Sequence, residues 1–118
     1  MNAPQTPTIR TAQELGLKLH DMTDINDLIG ASFDLDGLIL TEADLSPQFF
    51  QLHSGLAGEA FQKFTNYRVH VAVVLSDFTA YGERFAELAH EHAAHHLIRF
   101  VHSEAEARAW LERAAESG

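Results

Sequence analysis

A chain of 118 residues is long enough to bury one core and too short for two, and with 46% hydrophobic and 21% charged residues it has the composition of a globular domain and not of a disordered segment. Seventeen acidic against eight basic residues give a net charge of −9, which repels a phosphate backbone and argues against nucleic acid as a partner, and the lack of cysteine excludes disulfides, thiolate metal sites and a cysteine nucleophile. No window approaches the roughly 18 apolar residues that span a bilayer, and the N-terminus lacks a signal-peptide pattern, so a cytoplasmic protein without membrane contact is expected.

Residues 1–7, with two prolines, read as a flexible leader, and residues 8–118 as a single α/β domain. Thr8, Ile9 and Arg10 suit a short strand. Leu15, Leu17 and Leu19 alternate with Gly16, Lys18 and His20, which predicts a second strand and a β-hairpin opening. Asp21 or Thr23 can cap a short helix carrying Ile25, Leu28 and Ile29. The apolar run 37–41 predicts a strand covered on both faces, and Pro47 interrupts the chain before Phe49 and Phe50. After Ser54, residues Leu56, Ala57, Ala60, Phe61, Phe64 and Tyr67 fall on one helical face. Residues 69–75 are rich in valine and predict a central strand.

Asp77 and Thr79 can begin a further helix, with Tyr81, Phe85, Leu88 and Ala89 as its core stripe, running to about His96. Residues 97–101 read as the last strand. Ser103, three residues before Glu106, starts a terminal helix that turns Ala107, Trp110, Leu111 and Ala114 inward. The expected order is β-β-α-β-α-β-α-β-α, a five-stranded, mainly parallel (mixed) sheet with about four helices.

The stretch from Phe49 to Arg68, with Gly55-Leu56-Ala57-Gly58-Glu59 and Gln62-Lys63-Phe64 followed by Asn66-Tyr67-Arg68, resembles the signature of the bacterial family called domain of unknown function 4180, and the likeness extends to Asp77-Phe78. The resemblance implies a small bacterial protein without an established activity. His53 stands where that family usually has a basic residue, Ser76 where it has glycine, and Ala93-Ala94-His95 in place of an Asn-Arg-Gly-like turn. The element order also looks like that of STAS domains, the anti-sigma-factor-antagonist fold, with Ser54-Gly55-Leu56 at the step where such domains carry a phosphorylated serine. A non-catalytic, STAS-like regulatory or protein-interaction domain is what this likeness implies, with a protein as partner and no cofactor.

Ser54 is then a candidate switch, although a serine before a helix is more often a simple cap. Glu59, Gln62, Lys63 and Asn66, spaced i, i+3, i+4, i+7, form a polar ridge that matches the family motif without serving the core, and so make a candidate partner surface. His92 and His96 stand i, i+4 within the cluster His90 to His96, the separation at which two imidazoles share a metal, but no third ligand can be named and packing at a helix end explains them as well. Gly55 and Gly58 are expected inside a helix, where they would permit close packing. Asp34, Asp36, Glu42, Asp44 and Asp77 flank the strands and can gather at strand ends, where α/β proteins bind ligands. The alternative reading is therefore a small-molecule or metal-binding protein, even an enzyme, that uses the histidine helix or the acidic strand ends. Oligomeric state does not follow from the residues.

Overall fold

The computed structural model describes residues 6–117 except Ala94; the first five residues of the expected leader lie outside the described residues. Four strands, β1 (Ile9–Thr11), β2 (Gly37–Thr41), β3 (Val71–Val74) and β4 (Ile98–Val101), form one sheet in the order β1-β2-β3-β4. All neighbours pair in parallel. Five α-helices are α1 (Met22–Ser32), α2 (Pro47–Phe50), α3 (Leu56–Asn66), α4 (Glu83–Glu91) and α5 (Glu104–Ser117), with short 3-10 turns at Glu42–Asp44 and Leu52–Ser54.

The expected α/β class and parallel sheet are present, but among the described residues the sheet has four strands and not five, and no antiparallel opening. The segment expected as a second strand is a turn instead. Thr11 and Glu14 cap each other, the Thr11 N–H donating to the Glu14 carboxylate at 3.0 Å and the Glu14 N–H to the Thr11 hydroxyl at 3.0 Å. Gly16 then takes φ +70°, and the Leu17 N–H returns to the Ala12 carbonyl. Of the alternating leucines only Leu19 keeps a strand-like contact, an isolated bridge to Leu45.

Because parallel crossovers are right-handed and the strand order advances in one direction, α1, α3 and α4 stack on one face, sharing one core. There Leu28, Phe61, Phe64 and Phe85 meet Leu38, Leu40, Val71, Val73, Ile98 and Phe100. The α5 helix covers the other face, packing Ala107, Trp110 and Leu111 on Ile9, Ile39 and Ala72. It lies close because Gly37 has no side chain: a Cβ there would sit 2.9 Å from a Leu111 methyl. Phe61, Phe64, Val71, Val73, Phe85 and Trp110 are all buried, as the apolar patterns predict, and β3 is internal to the sheet.

The helix ends follow their caps. Asp21 caps α1 in a capping box with Asp24, whose buried carboxylate also accepts from the His20 N–H at 2.8 Å and pairs with Lys18 at 3.2 Å. Pro47, expected as an interruption, is the first residue of α2, where its missing N–H costs nothing. Gly55 is the N-cap of α3 at φ +83° and Gly58 faces open space, so neither serves close helix packing. Asp77 does not begin a helix; its carboxylate accepts from the Thr79 N–H and hydroxyl in a local turn, and Gly82 at φ +101° delays α4 to Glu83. No helix among the described residues is long and apolar enough to cross a membrane.

Candidate functional site

The chain leaves β2 at Thr41 and β3 at Val74 on the same edge of the sheet, so the segments that follow face one another. Thr41 is fixed by Asp44, whose carboxylate accepts from the Thr41 N–H at 2.8 Å and hydroxyl at 2.9 Å. That turn aims Glu42 at the loop after β3. One Glu42 carboxylate oxygen accepts from the Ser76 N–H at 3.3 Å and the Ser76 hydroxyl at 3.4 Å, and the other accepts from the Tyr81 hydroxyl. The hydrogen bond to Glu42, with burial and the nearby negative charge, pushes the Tyr81 phenol from 10.0 to about 12.

Tyr81 stacks face to face on Phe50 of α2, with ring centroids 3.6 Å apart and planes 8° from parallel. Leu45, Pro47, Phe50 and Tyr81 thus wall a cleft of about 580 Å³ with Glu42 on its lining. This volume lies within the range of small-molecule sites, and the few polar groups on apolar walls are the usual composition of one. A carboxylate offers about four acceptor positions, so Glu42 retains capacity for a donor from a ligand beyond its contacts to Ser76 and Tyr81.

Next to this cleft, the His102 ring stacks on Phe78 at 4.1 Å, and its Nδ1 lies 3.3 Å from the Ser76 carbonyl oxygen. The Asp77 carboxyl is held below its usual range by the hydroxyl and N–H of Thr79, with a contribution from His102. Ser76, His102 and Glu42 do not form a nucleophile relay, since His102 bonds the carbonyl and not the hydroxyl of Ser76.

Of the acidic residues expected at strand ends, Glu42, Asp44 and Asp77 lie at this carboxyl edge. Asp34 and Asp36 precede β2 at the opposite edge, where Asp36 accepts from the Thr8 N–H at 2.7 Å. Ser54 closes the 3-10 turn before α3 and is not its N-cap. Its hydroxyl donates to the Gln48 carbonyl at 2.7 Å and accepts from the Leu56 N–H at 3.2 Å, tying α2, one wall of the cleft, to the start of α3. Glu59, Gln62 and Asn66 are exposed and Lys63 is half-buried; among the described residues Lys63 pairs with no carboxylate.

The histidines do not share a helix. The α4 helix ends at Glu91 with His92 as its C-cap, so the i, i+4 relation of His92 and His96 is lost. The His92 Nδ1 faces the Leu88 carbonyl at 2.9 Å, and the His95 Nδ1 accepts from the Leu97 and Ile98 N–H groups, each at 3.1 Å. Burial, followed by the charges of His92, His96 and Arg99, pushes the His95 pKa down, consistent with that acceptor role. Among the described residues no group of three or more His, Asp or Glu side chains is placed to hold a metal.

Comparison with known proteins agrees with the motif. The family model described as "Domain of unknown function (DUF4180)" matches residues 5–111. The chain belongs to this family. No curated protein and no solved structure matches it. Within the DUF4180 match lie Glu42, Phe50, Ser76 and Tyr81 as well as the α3 ridge. Sequence reasoning placed Tyr81 in a core stripe and took Glu42 as one acidic residue among several. The available signal was Gly82 followed by Glu83, a helix start that leaves Tyr81 outside α4.

Proposed function

We propose that this DUF4180 protein is a non-catalytic, ligand-binding regulatory domain whose cleft at the carboxyl ends of β2 and β3 takes a small, flat, apolar molecule bearing a hydrogen-bond donor or a positive charge. The observation that carries this reading is Glu42, held by Tyr81 and Ser76 on the lining of an aromatic-walled cleft of about 580 Å³. The apolar walls favour a ring, and the carboxylate favours an amine over an acid. The Ser76 and Tyr81 hydroxyls both donate to Glu42, while His102 bonds the Ser76 carbonyl and not its hydroxyl, so no Ser-His-acid relay is assembled there, which favours binding over turnover. Ser54 would link modification to the ligand: a phosphate there removes the hydroxyl donor to Gln48 and loosens the wall that holds Phe50.

Titration with benzylamine and with benzoate, at equal ionic strength, tests this reading. Benzylamine is expected to bind the wild type more tightly than benzoate, and Glu42→Gln to weaken it about tenfold. Equal affinities for the two, unchanged in Glu42→Gln, would defeat it.

A second reading, a partner protein on the ridge of Glu59, Gln62, Lys63 and Asn66, draws support from one feature. Tyr67 and Phe33 stand exposed in an edge-to-face pair at 6.0 Å, directly beyond Asn66. Exposed aromatic residues beside a polar rim are typical anchors of protein interfaces. Capture of partners by wild type and by a Tyr67→Ala, Lys63→Glu double variant distinguishes it, since identical recoveries would remove this surface from consideration.

A further inference from the structure

At the opposite edge of the sheet, where β3 and β4 begin, a second cleft of about 540 Å³ is lined by Arg68, His70, His96, Arg99, Trp110 and Arg113. Three of the six arginines of a chain with net charge −9 thus meet in one place, and none of the lining residues is acidic. Among the described residues, neither Arg68 nor Arg99 forms an ion pair with one.

The guanidinium groups are also positioned. Arg99 donates its Nε–H to the His95 carbonyl at 2.9 Å and lies over the Trp110 ring at 5.0 Å, which fixes its plane while using neither terminal nitrogen. Arg68 occupies the position after the C-cap of α3 at φ +55°, in a Schellman pattern: its N–H bonds the Thr65 carbonyl and the Val69 N–H bonds the Phe64 carbonyl. Glycine is the usual residue there because a side chain is strained at positive φ. An arginine at that cost is explained when its side chain has work to do. Burial, then the charges of His96 and Arg68, push the His70 pKa below its ordinary value.

We propose that this cleft is an anion site for a phosphate group, either inorganic phosphate or the monoester end of a small phosphorylated molecule. Planar guanidinium groups bind phosphate oxygens in pairs, and the convergent guanidinium groups of Arg68 and Arg99, neither ion-paired among the described residues, select an anion of high charge over chloride. The site stands apart from the carboxyl-edge cleft, and its truth does not depend on that one.

Trp110 is the sole tryptophan of the chain and lines this cleft, so its fluorescence reports on this site. Wild type and Arg68→Gly are titrated with sodium phosphate and with phenyl phosphate against sodium chloride at matched ionic strength. Glycine suits φ +55°, so Arg68→Gly is expected to melt close to the wild type, which a thermal scan checks. The expected result is a saturable change with one or both phosphate compounds, absent with chloride, whose dissociation constant rises about tenfold or more in folded Arg68→Gly. Tighter binding of phenyl phosphate marks a monoester site and tighter binding of phosphate a site for the free ion; either supports the proposal. Absence of any saturable change beyond that of chloride, or equal affinity in wild type and Arg68→Gly, would overturn it.

Discussion

Tyr81→Phe removes one oxygen from the cleft and leaves the ring stacked on Phe50, so it isolates the bond to Glu42. In the folded protein the phenol is raised from 10.0 to about 12. A group with a raised pKa holds its proton longer folded than unfolded, so its stabilisation is complete below pH 10 and is lost as pH climbs from about 10 to about 12. Converted directly, that shift corresponds to about 2.7 kcal/mol. The cleft opens to solvent, and screening lowers the realised difference to about 1 kcal/mol. The assay is urea unfolding across this window for wild type and Tyr81→Phe, together with phenolate absorbance in a Tyr67→Phe background, where Tyr81 is the remaining tyrosine. Wild type is expected to lose about 1 kcal/mol more than Tyr81→Phe between the two ends of the window. Glu42→Gln should bring the phenol back toward 10.0. A Tyr81 that ionises near 10.0 in the wild type, or parallel losses in both proteins, would refute the hydrogen bond as the cause.

Phe64, fully buried between the α3 helix and the sheet, should cost about 3–5 kcal/mol when cut to alanine, read as a lower urea midpoint with an unchanged slope. Gly37→Ala drives a methyl to within 2.9–3.1 Å of Leu111, including its Cβ, so α5 must shift; a loss of about 1–3 kcal/mol is expected, and a neutral result would mean that α5 does not lie so close. Ser54→Ala removes a donor to Gln48 and an acceptor for Leu56 and should cost about 1 kcal/mol, whereas Lys63→Glu on the ridge should change stability by less than about 1 kcal/mol.

The features legible in the sequence are those set by local chemistry. The valine run of β3, the apolar stripe of α3 from Leu56 to Phe64 and the Ser103 to Glu106 start of α5 each carry their own period or cap and form as expected, whereas Tyr67, expected on that stripe, is the exposed C-cap of α3; Glu106 accepts the His102 N–H at 2.9 Å, and its own N–H reaches Ser103 at 3.1 Å. Leu15, Leu17 and Leu19 misled because alternation over five residues also arises in a turn, and the deciding contact was the mutual capping of Thr11 and Glu14. The histidine helix failed for a tertiary reason. Ile98 must align with Val71 in the parallel ladder, and the chain leaves α4 after Glu91 to reach that register. The candidate site was half visible: carboxylates at strand ends were recognised, but the pairing of Glu42 with Tyr81, 39 residues later, depends on two strands lying side by side and leaves no local signal. The arginine cleft is hidden for the same reason, since Arg68 follows α3, Arg99 lies in β4 and Arg113 in α5.

The most direct test of the ligand-binding account is a map of backbone amide shifts on an isotopically labelled sample titrated with benzylamine. Binding in the carboxyl-edge cleft predicts saturable shifts centred on Ala43, Leu45, Phe50, Gln51 and Tyr81, with the α3 ridge unmoved and the response lost in Glu42→Gln. Shifts centred instead on Glu59, Gln62, Lys63 and Asn66, or an equal response in Glu42→Gln, would contradict it.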